Sequence, residues 1–227
     1  MARTLNLAVH TVRRDAFVEA AQRLMTAKGY EQMSIQDVLD EVEASRGAFY
    51  HYFDSKQALL EAVIDRMVDA ALAEVAPIVG DRTLPAVAKL QRLFSTIGRW
   101  KTARKSLVLA LLEGWLSDHN AVVREKFRRT MTGRLAGTLT PIIQQGIDEG
   151  EFHANSAMET AHVLVMLLLG FQDVATDLFL ERQAGRIQPA DVERTFGMYT
   201  ESFERILGAR PGSIQLIDRP VLRAWFG

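Results

Sequence analysis

The segment from Ser45 to Phe53, S-R-G-A-F-Y-H-Y-F, sets a serine, an arginine and two phenols around two phenylalanines. Ser45 supplies an N-cap, and the helix it opens runs from Arg46 to about Tyr52, about two turns, too short to hold itself together in water. Phe49 and Phe53 lie at i, i+4 and can anchor it to a neighbour. Arg46, Gly47, Ala48, Tyr50 and Tyr52 are then expected to face outward. The chemistry this set offers is recognition of DNA. A helix N-terminus favours phosphate, Gly47 and Ala48 keep the surface low enough for a major groove, and a guanidinium can read base edges while phenols hold phosphates. The competing reading is that these residues only pack a helical hairpin. Against it, Tyr50 and Tyr52 cannot both be buried along with Phe49 and Phe53 on so short a helix.

A second short helix must position the first. Ser34 followed by Asp37 is a capping-box pair, Met33 and Val38 stand where the halves of a hydrophobic staple belong, and Ile35, Val38, Leu39 and Val42 form an apolar face. Only Glu43 and Ala44 separate this helix from Ser45, so residues 34–56 read as a helix-turn-helix. By helix position and side-chain chemistry, Gln36 joins Arg46 as a base reader, and Tyr50, Tyr52 and Lys56 are assigned to phosphates.

The runs S-I-Q-D-V (34–38), S-R-G-A-F-Y-H-Y-F (45–53) and S-K-Q-A-L-L (55–60) resemble the DNA-binding domain of the tetracycline-repressor (TetR) family of bacterial regulators, over about residues 17–60. The resemblance implies that Ser34, Gln36, Ser45, Arg46, Gly47, Ala48, Tyr50, Tyr52 and Lys56 occupy DNA-contacting positions. One residue departs from the pattern. Glu43 stands in the turn where the family usually has glycine, and if the position needs a positive φ, glutamate costs about 1 kcal/mol there.

With 227 residues, 48% of them hydrophobic, the chain can bury a sizeable core. Its formal charge of -1 gives no general affinity for polyanions, and residues 1–56 hold seven Lys and Arg against eight Asp and Glu. DNA affinity must therefore come from where the charges stand. The absence of cysteine excludes disulfides, thiolate catalysis and Cys-bound zinc. No phosphate-cradling glycine loop, zinc-protease motif or nucleophile elbow occurs, and the five histidines are scattered. Catalytic residues, metal ligands and cofactors are accordingly assigned as none. The N-terminus lacks a signal-peptide core, and the longest apolar run, 163–171, is about half a membrane span. The expected location is cytoplasmic, with no membrane partner.

Residues 1–10 are expected to form an arm, with Arg3 able to touch a minor groove. Phe17, Ala20, Ala21, Leu24 and Ala27 mark a supporting helix from Thr11 to Lys28, stopped by Gly29, with Arg13 and Arg14 near its start free to reach phosphate or water. A linking helix follows over 55–76, and Pro77, Gly80, Asp81 and Pro85 break the chain after it. Helical periodicity alone continues beyond. Val87 to Ile97 and Leu107 to Leu116 form two helices, and a longer one starts near Ala121 and meets Pro141, where a kink is expected.

The stretch 157–180 is apolar nearly all round, and the last helix, 189–208, carries a stripe of Val192, Phe196, Tyr199, Phe203, Ile206 and Leu207. These two helices read as half of a four-helix dimer interface, with Leu168, Phe196, Tyr199, Phe203 and Leu207 in the seam, as the resemblance also implies. A largely apolar ligand pocket is assigned to Phe94, Leu112, Trp115, Phe127, Met131, His162 and Met166. The apolar tail 211–227 is expected to pack on its own body.

The sequence thus predicts an all-α chain. A helix-turn-helix DNA-binding domain over 1–56 precedes a helical ligand-binding and dimerisation domain over 57–210. The expected function is a homodimeric, sequence-specific transcriptional repressor that binds double-stranded operator DNA and is released by a small, largely apolar effector. The alternatives are an activator, or a helical ligand-binding protein or enzyme that keeps the helix-turn-helix as scaffold.

Overall fold

A computed structural model describes the backbone of residues 2–227 and the side chains of residues 10–227. Among the described residues every regular element is helical. The helices are α1 (Ala2–Lys28), α2 (Ile35–Val42), α3 (Arg46–Tyr50), α4 (Lys56–Gly80), α5 (Ala86–Ala103), α6 (Lys105–Leu116), α7 (Ala121–Asp148), α8 (Ala157–Gln183), α9 (Pro189–Leu207) and α10 (Arg219–Phe226). The arm expected over 1–10 is instead the start of α1, and the side chain of Arg3 lies outside the described set. α4 runs past Pro77 into one more turn, and α7 is continuous through Pro141.

The chain divides into two compact units, residues 1–70 with 104–127, and residues 71–103 with 128–227. The first is larger than the domain expected over 1–56, because α6 packs into it. Its core holds Phe17, Met25, Tyr30, Met33, Val38, Phe49, Phe53, Leu59 and Leu60 together with Leu107 and Leu111 of α6. Tyr30 is the docking point. A Cβ at Gly114 would lie 2.7 Å from the Tyr30 ring, so only glycine lets α6 come this close. The buried Asn120 side chain donates to Gly114 O at 2.8 Å and accepts from the Tyr30 hydroxyl at 3.5 Å, which satisfies the polar atoms that this contact buries.

The second unit is built on Leu90, Ile142, Ile143, Phe152, Leu164, Phe203 and Leu207. Gly146 makes room for Phe152, whose ring would stand 2.1 Å from a Cβ there. The buried Lys89 ammonium donates to Val79 O at 3.0 Å and closes the C-terminal end of α4. The tail packs on its own unit, in agreement with the sequence reading. Buried Glu204 accepts from the backbone N–H groups of Gly212 and Ile214 at 3.0 and 2.8 Å, Asp218 caps α10, and Trp225 Nε1 donates to Thr102 Oγ1 at 2.9 Å.

This packing corrects part of the dimer assignment. Phe203 and Leu207 have no exposed surface, and Phe196 is covered by Phe171 and by Phe226 of the tail. An amphipathic stripe marks a buried face without saying what buries it, and here the chain's own α5, α8 and α10 do so. Leu168 is half-buried, and Tyr199 stacks on Phe171 at 4.9 Å. On α8 and α9 the large apolar side chains left exposed are Met158, Val163, Met166 and Leu180 of α8 and Met198 of α9.

The seven residues assigned to a pocket are divided between the two units. Trp115 and Phe127 form an edge-to-face pair at 4.9 Å on the core of the first unit, with half-buried Leu112 on the same helix as Trp115. In the second unit Phe94 packs edge-on against Phe203, Met131 is buried, and His162 and Met166 are exposed. His162 Nδ1 lies 2.8 Å from Met158 O of its own helix.

Candidate nucleic-acid interface

Local sequence builds the interface. Ser34 and Asp37 form the full capping box: Asp37 N donates to Ser34 Oγ at 3.1 Å, and Ser34 N donates to Asp37 Oδ2 at 2.6 Å. Lys28 reaches the same carboxylate at 2.7 Å. Lys28, then the Ser34 hydroxyl and backbone, hold the Asp37 carboxyl well below the usual carboxylate range. α2 ends at Glu43, which adopts φ 52° and ψ 48°, the left-handed conformation. It is the only non-glycine residue with positive φ among the described residues. The strain expected from its departure from glycine is therefore present in the turn.

α3 opens at Ser45, whose Oγ accepts from Ala48 N at 3.2 Å. Phe49 and Phe53 are buried, and Phe17 of α1 meets both edge-on at 5.7 and 6.3 Å, so α1 carries the short helix as a plate. Arg46 and Gly47 are exposed, and the Arg46 guanidinium has no partner among the described residues. Tyr50 is 52% exposed and rests edge-on against Phe49. These three present the surface the sequence predicted.

The other assigned residues are more constrained. Ser34 is exposed, but its hydroxyl also donates to Asp37 Oδ2 at 2.7 Å. Gln36 is exposed and donates to Asp40 Oδ1 at 2.7 Å, so it must leave that bond to read a base. Ala48 is half-buried on the core. Tyr52 is half-buried among His10, His51 and Phe17, at 4.5, 5.0 and 5.9 Å, which leaves it less exposed than the sequence suggested. Lys56 lays its ammonium 4.3 Å over the Tyr30 ring and donates to Glu31 O at 3.2 Å, and burial pushes its pKa down. Arg14 stacks on Phe53 at 5.3 Å, and neither of the two fates expected for it describes that contact. His10 and His51, unassigned from the sequence, stand at the edge of this surface with ring centroids 5.4 Å apart.

Charge is arranged as the composition required. Asp37 is paired by Lys28, Glu41 by Arg23 at 2.7 Å, and Glu19 by Arg66 at 2.6 Å. Such exposed pairs add little stability, typically about 0.2–1 kcal/mol each. They do cancel carboxylates that would repel phosphate, and Arg13 and Arg46 remain exposed without a partner among the described residues. The described residues hold no group of three His, Asp or Glu side chains placed to share a metal ion.

The family model described as bacterial regulatory proteins, tetR family, matches residues 17–63, the stretch from Phe17 through α3 into the first turns of α4. Over residues 17–63 the chain is thus similar to the TetR family. Among curated TetR-like relatives, an HTH-type transcriptional regulator of Lactococcus lactis subsp. lactis is 44% identical over 55 residues, covering 24% of this chain and 28% of its own length. The HTH-type transcriptional repressor DhaR of Mycobacterium sp. (strain GP1) is 27% identical over 84 residues, 37% of this chain and 42% of its own. The chain thus matches less than half the length of either relative. A transcriptional regulator of Cytophaga hutchinsonii ATCC 33406 has a similar fold at TM-score 0.55 and 21% identity, over 94% of this chain and 98% of that one. An N-terminal helix-turn-helix followed by a helical C-terminal part is the fold of this chain.

Proposed function

We propose that this protein is a sequence-specific DNA-binding transcriptional regulator, acting as a homodimeric repressor that a small apolar effector releases. The observation that carries the reading is α3: a one-turn helix held from behind by buried Phe49 and Phe53, with an unpaired Arg46, Gly47 and half-exposed Tyr50 in front. Arg46 reads a base edge in the major groove, and Tyr50 and the first turn of α4 hold the backbone.

The dimer reading rests on α8. It leaves Met158, Val163 and Met166 exposed, and α9 leaves Met198 exposed. By length and composition alone α8 could cross a membrane. The same helix carries exposed His162 and the Asp173 that pairs with Arg128 at 2.8 Å, which fit a protein interface better than hydrocarbon. A dimer sets two α3 helices on half-sites one turn of DNA apart, roughly 34 to 36 Å.

Effector binding is supported by a cavity of about 50 Å³ in the second unit, lined by Leu72, Val75, Leu93, Ile97, Leu139 and Leu168 among others. Its one polar neighbour, Thr138, spends its hydroxyl on Arg134 O. Ligand pockets are typically about 300–1,000 Å³, so an effector must be apolar and must push the walls apart. Leu72 and Val75 belong to α4, the helix whose first turn starts at Lys56, so expansion acts on the helix that carries the reading head. A hundredfold loss of operator affinity needs about 2.7 kcal/mol of coupling. The test of the function is selection: the purified protein is mixed with its genomic DNA and non-specific competitor, and retained fragments are sequenced. A recurring, two-fold symmetric motif supports the reading, and random recovery contradicts it.

A further inference from the structure

A second recess of this unit shares no lining residue with the cavity beside Leu72. It is a groove of about 810 Å³ between α9 and the C-terminal segment, within the size range of small-molecule sites. Its apolar surface comes from Ala209, Pro211, Ile217 and Leu222, with buried Phe196 behind them. The segment that forms its far wall is fixed, because Glu204 of α9 holds the backbone of Gly212 and Ile214. The groove is therefore built into the fold.

Charge divides across it. The lining has three acidic and three basic side chains, Glu193, Glu201 and Glu204 against Arg205, Arg219 and Arg223. Arg205 pairs with Glu201 at 3.1 Å, and Glu204 spends both carboxylate oxygens on the segment's N–H groups. Arg219 and Arg223 have no hydrogen-bonding or ionic partner among the described residues. They stand at i, i+4 on α10, where two guanidinium groups can share one carboxylate or phosphate. Gly197 adds an independent sign. It sits in the middle of α9, where glycine costs about 1 kcal/mol relative to alanine, and nothing lies within 4 Å of the position a Cβ would take. No neighbour requires the glycine, and any larger residue would fill the groove.

We infer that this groove binds an amphipathic organic anion, with its apolar body on Pro211, Ile217 and Leu222 and its anionic end between Arg219 and Arg223. The probe is decanoate, titrated calorimetrically into the full chain, with decan-1-ol and decyltrimethylammonium as neutral and cationic controls. Decanoate should bind one per chain and at least about tenfold more tightly than either control, as expected for a charge-assisted pair of hydrogen bonds. Arg219→Gln/Arg223→Gln should weaken decanoate at least tenfold with the thermal midpoint unchanged. Gly197→Leu should abolish binding while holding or raising the midpoint, so loss of fold cannot account for the result. No heat with millimolar decanoate overturns the inference. So does an affinity that both variants leave unchanged, which would place the probe elsewhere, including the cavity beside Leu72.

Discussion

Replacing Glu43 by glycine should stabilise the protein. The residue ends α2 at φ 52° and ψ 48°, with its N–H turned back to Asp40 O and the next N–H, of Ala44, donating to Leu39 O at 2.9 Å. These bonds fix the left-handed turn, so relaxing its backbone would uncap the helix. The left-handed region costs a residue with a Cβ about 1–2 kcal/mol. Glycine gives back about 0.5–1 kcal/mol through its greater freedom in the unfolded chain. The net gain is about 0.5–1 kcal/mol, which for a chain of this size is a rise in Tm of about 1–4 °C. Asparagine, which tolerates the region, should fall between glycine and glutamate, and valine, branched at Cβ, should lose stability. Glu43→Gln separates charge from backbone, and because the side chain is exposed it should change little. The assay is urea denaturation followed by circular dichroism across the series. If glycine and valine gave the same midpoint, the turn would not be left-handed and the reasoning would fail.

Met166→Glu should leave the fold intact and shift the protein to monomer in sedimentation, whereas Phe203→Glu, with its side chain fully buried, should unfold it at a cost of several kcal/mol. A Met166→Glu protein that stays dimeric would remove α8 from the interface. Gly146→Ala should lower the urea midpoint by about 1–3 kcal/mol, because its Cβ meets the Phe152 ring at 2.1 Å, and an unchanged midpoint would mean the ring moves aside freely. Asp37 has its folded pKa depressed by Lys28 and Ser34. Its contribution is present above the ordinary carboxylate value of about 3.9 and is lost as the pH falls through the lower folded value. Stability in Asp37→Asn should therefore fall less steeply with pH below about 4 than in the parent, and parallel acid limbs would show that the carboxylate is not held as described.

What the sequence made legible was local. Ser34 with Asp37, and Ser45 before Ala48, announce helix starts because a cap is satisfied within three residues. Phe49 and Phe53 announce a buried face at helical spacing. The helix-turn-helix and the left-handed demand on Glu43 could be read for that reason. Contacts between residues far apart in the chain could not. The seating of Tyr30 on Gly114, which draws α6 into the first unit, joins positions 84 apart, and a lone glycine in a helix does not name its neighbour. The stripe of Phe196, Phe203 and Leu207 was assigned to a second chain, although α5, α8 and the tail were there to cover it. The sequence assigns Tyr52 and Lys56 to phosphates, and composition cannot show the His10 ring or the Tyr30 ring beside them.

The central claim, that α3 reads a DNA sequence through Arg46, is tested most directly by the affinity of the parent and of Arg46→Ala for the selected motif and for a scrambled duplex at one salt concentration. The parent should prefer the motif by a factor on the order of 10³ or more. Arg46→Ala should lose about 1–3 kcal/mol on the motif, with preference relaxed at one base pair, and much less on the scramble. Tyr50→Phe, which removes only an exposed hydroxyl, should weaken both duplexes alike by about 0.5–1.5 kcal/mol. Equal losses for Arg46→Ala on the two duplexes, or a parent that binds them equally, would contradict the account.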